Sequence, residues 1–135
     1  MGATLRNPVV VDRAGTSNIG TVGQFLTTAR AVSVSQLGEQ SSASFDQNNF
    51  DDNYLTASQV GNLNNTTAFQ RGISHSATVS QSHDFRFLSY SQTGTSNSIT
   101  STQKGTTNFG GLIQGGSMNT VNTVQNGTLD TFLVT

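Results

Sequence analysis

The chain has 135 residues, of which 33% are hydrophobic and 10% charged, and its formal net charge is −1. So few apolar groups exclude an ordinary globular core, because ordering each residue costs about 1–2 kcal/mol. The near-zero net charge gives no basic surface for binding nucleic acid. No apolar run approaches the roughly 18 residues needed for membrane insertion. The absence of cysteine excludes disulfides and thiolate metal sites.

A repeat begins close to the first residue. The start, MGATLRNPVVVDR, lacks the regions of a secretory signal, so we expect an exported chain to be a mature or engineered form. Residues 1–6 are interpreted as a short N-terminal lead, and residues 7–135 as one repeat domain. Arg13 is the first marker, and Gln then recurs every eleven residues, with two steps of twelve. The Gln markers are Gln24, Gln36, Gln47, Gln59, Gln70, Gln81, Gln92, Gln103, Gln114 and Gln125.

Glycine follows most markers two places later, where it supplies the positive φ of a tight corner. These turn glycines are Gly15, Gly38, Gly61, Gly72, Gly94, Gly105, Gly116 and Gly127. Between corners the residues alternate, as in Asn119, Val121, Thr123 and Gln125, and period two is the signature of a strand. The pattern predicts twelve strands, at 7–13, 18–24, 30–36, 41–47, 53–59, 64–70, 75–81, 86–92, 97–103, 108–114, 119–125 and 130–135.

The constancy of the marker favours a solenoid over a hairpin meander or a barrel. In a solenoid each coil is chemically equivalent, so Gln stacks on Gln at the strand spacing and satisfies buried amides. We therefore predict an all-β fold, a β-solenoid of about six two-stranded coils. Each coil has 22–23 residues and contributes to stacked Gln and Asn ladders.

The repeat QxGxxNxxxxxQ resembles the curlin repeat of bacterial curli fibre subunits, over residues 7 to 130. The resemblance implies a secreted, extracellular subunit that polymerises into cell-surface amyloid fibres of the biofilm matrix. It also implies two partners, a nucleator subunit and an outer-membrane secretion pore. The ladder then consists of the ten Gln markers with Asn18, Asn53, Asn64, Asn97, Asn108 and Asn119. The Asn pattern is interrupted at Arg30, Ser41, His75, Arg86 and Asp130.

The first and last predicted strands are apolar and strand-forming, which favours head-to-tail stacking of copies. The residues expected at these polymerisation ends are Val9, Val11, Val22, Phe132 and Val134. Pro8 either guards the first edge or simply occupies a strand start, where proline is tolerated.

The two sheets are predicted to differ in their outward residues. Odd-numbered strands expose a hydroxyl-rich face of Ser33, Ser35, Thr56, Ser58, Ser76, Thr78, Ser80, Ser98, Thr100, Thr102 and Thr120. Even-numbered strands expose Phe69, Phe87, Phe109, Ile113 and Leu133. Phe87 and Phe109 should stack on adjacent rungs, either to stabilise one subunit or to join fibres laterally. The hydroxyl face carries the alternative function, a monomeric solenoid that binds ice or a carbohydrate surface; a fragment of an adhesin stalk is a third possibility.

Catalysis has little support in the sequence. His75 and His83 are the only histidines, and no acids are spaced to form a constellation with them. Gly110, Gly111, Gly115 and Gly116 precede no helix and no suitably placed lysine, so they do not form a phosphate loop. We expect a protein that is not an enzyme, with no catalytic residue, no metal and no cofactor.

Overall fold

The structure, a computed structural model, describes residues 8–25, 31–48 and 52–135. The predicted lead at 1–6 lies outside these residues, as do Arg30 and most of the two insertions that lengthen the repeat to twelve. The strands are β1 (Val9–Ala14), β2 (Ile19–Phe25), β3 (Ala31–Leu37), β4 (Ser42–Asn48), β5 (Tyr54–Val60), β6 (Asn65–Ile73), β7 (Ser76–Ser82), β8 (Phe87–Thr95), β9 (Ser98–Thr106), β10 (Phe109–Ser117), β11 (Thr120–Thr128) and β12 (Thr131–Val134).

The strands form two six-stranded parallel sheets, in the orders β1-β3-β5-β7-β9-β11 and β12-β10-β8-β6-β4-β2. We call them the odd sheet and the even sheet. Consecutive strands lie in opposite sheets, and each strand pairs with the second one along the chain. The register places marker on marker, for example Gln70 on Gln92 and Gln103 on Gln125. The predicted β-solenoid with stacked Gln ladders is therefore confirmed.

A thin core lies between the two sheets, because alternate side chains of every strand face inward. In β7, for example, Ala77 and Val79 are buried while Thr78 is exposed. The buried apolar residues are Val32, Val34, Ala43, Phe45, Leu55, Ala57, Ala68, Ala77, Val79, Leu88, Tyr90, Ile99 and Leu112. Many are small, which lets the sheets approach closely and leaves polar side chains to close the coil at its corners.

The outer faces follow the predicted division. Hydroxyl side chains project from the odd sheet. Outside the even sheet, Phe87 stacks on Phe109, with ring centroids 4.8 Å apart and planes 8° from parallel. The predicted stacking of these two rings is thus confirmed. Phe109 remains 48% exposed in spite of this contact, so the even sheet presents an apolar surface to solvent.

The corners between strands use two residues in the left-handed region. One is glycine: a Cβ on Gly94 would lie 1.9 Å from the Gly116 carbonyl oxygen, so no larger residue fits. Seven of the eight predicted turn glycines have positive φ. The prediction is wrong for Gly127, whose φ lies outside that region; its Cβ position meets only the Asp130 side chain instead of the backbone of a further coil. His83, which replaces glycine after Gln81, also has a positive φ of 94°.

The second left-handed residue stands immediately before the Asn position at ten corners of the described chain, and the sequence pattern does not predict it. Its φ lies between 54° and 63°, at Ser17, Gln40, Asp52, Leu63, Ser74, Phe85, Ser96, Thr107, Met118 and Leu129. Backbone bonds between coils hold several of these residues, such as Ser96 N–H to the Ile73 carbonyl at 2.8 Å. The following Asn position therefore lies in the corner itself, and the strands begin one or two residues later than predicted.

Candidate functional site

The Gln markers form one continuous column of side-chain amides along the inner face of each sheet. In the odd sheet the column runs through Gln36, Gln59, Gln81, Gln103 and Gln125. In the even sheet it runs through Gln24, Gln47, Gln70, Gln92 and Gln114. At every step the Nε2 group donates to Oε1 of the Gln in the next coil, over 2.6 to 3.0 Å.

Most of these amides also tie the two sheets together. The Nε2 group of Gln81 donates to the Asn65 carbonyl at the start of β6, and that of Gln92 to the Ser76 carbonyl at the start of β7. One donor hydrogen thus serves the next coil and the other serves the opposite sheet. From Gln36 to Gln125 the column residues are at most 7% exposed. A buried amide with all its partners stabilises the stack, whereas an unpaired one costs about 1–3 kcal/mol.

The columns have a direction, because every amide donates toward the C-terminal coil. At the N-terminal side of the odd sheet, Arg13 occupies the place below Gln36. Its Nη1 group donates instead to the Asn18 carbonyl at 3.0 Å, and Oε1 of Gln36 is buried without a partner. The amide column of the odd sheet therefore begins at Gln36 in the second coil, whereas strand pairing in that sheet begins with β1 in the first coil.

The Asn residues do not form a side-chain ladder of their own, which corrects that part of the sequence prediction. Asn97 shows their arrangement: Nδ2 donates to the carbonyls of Thr93 and Gly116, and Oδ1 accepts the backbone N–H of Asn119. The shorter Asn side chain lies at a corner, where backbone groups are the nearest partners. Comparable bonds to backbone groups are made by Asn18, Asn53, Asn64, Asn108 and Asn119. We call this position the corner slot.

Two substituted corner slots keep part of the Asn side-chain bonding, and a third keeps the backbone bond of the slot. Ser41 donates from Oγ to the Gly61 carbonyl at 3.2 Å. At buried His75, Nδ1 accepts the Asn97 N–H at 3.3 Å, so Nε2 carries the hydrogen that bonds the Arg71 carbonyl at 3.1 Å. The ring must be neutral to do both, and its burial lowers the pKa of His75. Asp130 is exposed and donates its N–H to Oδ1 of Asn108 at 3.2 Å.

Arg86 is the poorest fit among the slots. Its Nη2 group donates to the Gly105 carbonyl, but Nε and Nη1 are buried without partners, as is Oδ1 of Asn64 one coil below. Burial lowers the pKa of Arg86, and only the charge of Asp84 opposes that effect. A buried guanidinium with two free donors is destabilising.

The residues predicted at the polymerisation ends lie in the outermost coils. Val11, Val22, Phe132 and Val134 are partly buried and pack against the core, while Val9 is 44% exposed. Phe132 packs over Gly110, where a Cβ would approach its ring to 2.5 Å. Among the described residues, neither β1 and β2 on one side nor β11 and β12 on the other has a partner on its outer edge. The described part of each sheet therefore presents unpaired backbone groups at its two outer strands.

The described residues contain no group of three or more His, Cys, Asp or Glu side chains that could hold a metal ion. In the same part of the chain there is no helix with the length and apolar character to cross a membrane. His75 is buried in a corner and His83 lies in an exposed turn, and among the described residues neither belongs to a group of three or more such side chains.

Residues 51–82 match the family model of the curlin associated repeat. This segment of the chain is therefore similar to the curlin associated repeat. The match covers β5, β6 and β7, and the Gln-on-Gln register of these curlin repeats continues through the strands on both sides, from β2 to β11. The resemblance recognised in the sequence is thereby confirmed, and the curlin family consists of structural subunits, not enzymes. Comparison with curated proteins gives no significant match.

Proposed function

We propose that this curlin-repeat chain is a structural subunit that polymerises head to tail into extracellular, curli-like amyloid fibres of the bacterial biofilm matrix. The observation that carries the proposal is the pair of parallel sheets whose terminal strands have no partner on their outer edges among the described residues. Open edges recruit strands, and a second copy supplies strands of the same length, direction and register.

The sheet order specifies how two copies meet. Because β1 and β11 belong to the odd sheet, and β2 and β12 to the even sheet, unbroken continuation pairs β11 with β1 and β12 with β2 of the next copy. In that register Phe132 lies over Gly20 of the next copy and Val134 over Val22. A glycine then stands on each side of the Phe132 ring, since Gly110 already leaves space for it below.

The family resemblance supplies the rest of the proposed role. It implies secretion through an outer-membrane pore, assembly started by a nucleator subunit, and a function in adhesion and as a scaffold of the matrix. The stacked Gln columns suit this role, because the bonding that joins coils within one copy is of the kind that stabilises cross-β fibres.

Quiet incubation of purified protein, followed by electron microscopy and thioflavin fluorescence, tests the proposal. We expect unbranched fibres. A persistent monomer would contradict the proposal and favour the hydroxyl face of the odd sheet as a surface for ice or carbohydrate.

A matched pair of variants tests the ends. Phe132→Asp combined with Val134→Lys should abolish seeded elongation, because it buries two charges in the junction. The same charges at exposed Thr106 and Thr107, Thr106→Asp with Thr107→Lys, should leave elongation intact. Normal elongation of the end variant would instead favour lateral assembly through Phe87 and Phe109.

A further inference from the structure

Two positions in the repeating columns carry opposite charges, one at each end of the chain. Arg13 stands where the odd sheet otherwise has a Gln marker, and Asp130 stands in a corner slot that is otherwise mostly Asn. Both are exposed, whereas the central Gln81 and Asn64 in the corresponding columns are buried. The two departures thus place a cation at the first coil and an anion at the last.

The backbone shows that both charges lie on the same corner of the solenoid. This corner runs from Asn18, after β1, through Asn64 and Asn108 to Asp130, after β11. The Arg13 guanidinium reaches it already, because Nη1 donates to the Asn18 carbonyl at 3.0 Å. At the other end, the Asp130 carbonyl accepts the Phe109 N–H at 2.9 Å, which fixes Asp130 in register with Asn108.

Stacking a second copy brings the two charges together. Asn18 of the next copy then lies one rung, about 4.8 Å, beyond Asp130. Within the chain, a slot carbonyl accepts the N–H of the residue that follows the preceding slot, as Asp130 does from Phe109. The Asn18 carbonyl of the next copy accordingly accepts from Thr131 and can keep its bond from Arg13, just as the Ser41 carbonyl accepts from both Ile19 and Gln36. The Arg13 guanidinium therefore lies at the rung next to the Asp130 carboxylate.

The amide column cannot supply this junction itself. Gln125 donates to the Phe109 carbonyl with one Nε2 hydrogen, and the other points to the place that Arg13 of the next copy occupies. Arginine has five donors and no acceptor, so this step of the column is absent between copies.

We propose that copies recognise each other through an ion pair between Asp130 of one copy and Arg13 of the next, which replaces the amide step at each junction. The inference rests on the proposed fibre function and specifies its partner surface. It also favours head-to-tail growth, because head-to-head contact joins two ends that both carry Arg13, and tail-to-tail contact joins two ends that both carry Asp130.

Charge reversal tests the pair in seeded elongation followed by thioflavin fluorescence at low salt. Arg13→Glu and Asp130→Arg should each slow elongation on homologous seeds by about ten-fold or more, because like charges then meet at the junction. The double variant restores opposite charges and should elongate within about three-fold of the unmodified chain. Arg71→Glu, at an exposed arginine of β6, is the matched control and should have little effect.

Arg13→Gln tests the same junction without reversing a charge. It supplies an acceptor for Gln125 and a donor for Gln36, so its elongation should be insensitive to salt. Elongation of the unmodified chain should slow between 0.05 and 1 M salt, about the range in which screening lengths fall from more than 10 Å to 3 Å.

The outcomes separate the two proposals. Absence of fibres from the unmodified chain overturns the fibre function itself. If neither single reversal changes fibre growth, the ion pair is overturned and the fibre function stands. The same conclusion follows if each single reversal slows growth and the double variant does not restore it.

Discussion

The Gln columns and the corner slots repeat with the same period but tolerate substitution very differently. From Gln36 to Gln125 the odd column is filled by Gln alone, whereas the slots hold Asn, Ser, His, Arg and Asp. A column residue must donate to the next coil, donate to the opposite sheet and accept from the coil below, as Gln92 does. Only Gln has that reach and that set of groups.

A corner slot makes a weaker demand, because its partners are backbone groups close to its own Cα. Ser41 meets part of the demand with one hydroxyl, and His75 meets it with two ring nitrogens. The comparison predicts that substitutions in the Gln columns change the free energy of unfolding more than substitutions in the corner slots, which mutations can test.

The largest effect is expected for Gln92→Leu. This change leaves one Nε2 hydrogen of Gln70 and Oε1 of Gln114 without a partner, at about 1–3 kcal/mol each, and removes the donor that Gln92 gives to the Ser76 carbonyl. The free energy of unfolding from guanidinium titration should fall by about 3 kcal/mol or more, and Gln103→Leu should behave alike. Asn97→Ser should cost clearly less, and exposed Thr100→Ala no more than about 0.5 kcal/mol. Equal losses for Gln92→Leu and Asn97→Ser would remove the distinction between columns and slots.

The next effect is a gain, from Arg86→Asn. Asn can make the bonds that Asn97 makes, and the change removes a buried cation with two unpartnered donors. We expect the free energy of unfolding to increase by about 1–3 kcal/mol. Arg71→Asn, at an exposed arginine of β6, should change little. A loss of stability for Arg86→Asn would mean that the guanidinium is satisfied in solution.

A smaller effect is expected from pH at His75. The folded state holds the ring neutral and lowers its pKa below the unfolded value of about 6.5, so between these two values the unfolded state binds more protons. Stability is complete above about pH 6.5 and falls as the pH drops toward the folded pKa, by at most about 1.4 kcal/mol per pH unit. Between pH 8 and pH 5, the free energy of unfolding of the unmodified chain and of His83→Asn should fall by this His75 contribution. The same decrease should be absent from His75→Asn. An unchanged slope in His75→Asn would contradict the assigned tautomer.

The smallest effect is expected for Tyr90→Phe. The Tyr90 hydroxyl is buried without a partner, and its burial raises the pKa of Tyr90 well above the usual value. Removing the hydroxyl should stabilise the chain by up to about 1 kcal/mol. Tyr54→Phe, at a half-exposed ring, serves as the reference. Destabilisation by Tyr90→Phe alone would indicate a bound water or another partner for the hydroxyl.

The columns could be predicted from the sequence because one residue type performs one task at one spacing. The corners could not, since their geometry depends on backbone bonds between coils. Leu63 and Met118, for instance, have a left-handed φ that nothing in their residue types signals. The same reason explains why the Asn residues, predicted as a ladder, bond to backbone groups instead.

The helical rise of the fibre, measured by cryo-electron microscopy, tests the central claim most directly. Six coils stacked at 4.7 Å, with copies joined without a gap, predict one subunit per about 28 Å along the fibre axis and strands perpendicular to that axis. A rise of about 4.8 Å per molecule would mean that each copy forms a single flat layer of the fibre. That result would contradict both the solenoid subunit and its head-to-tail junction.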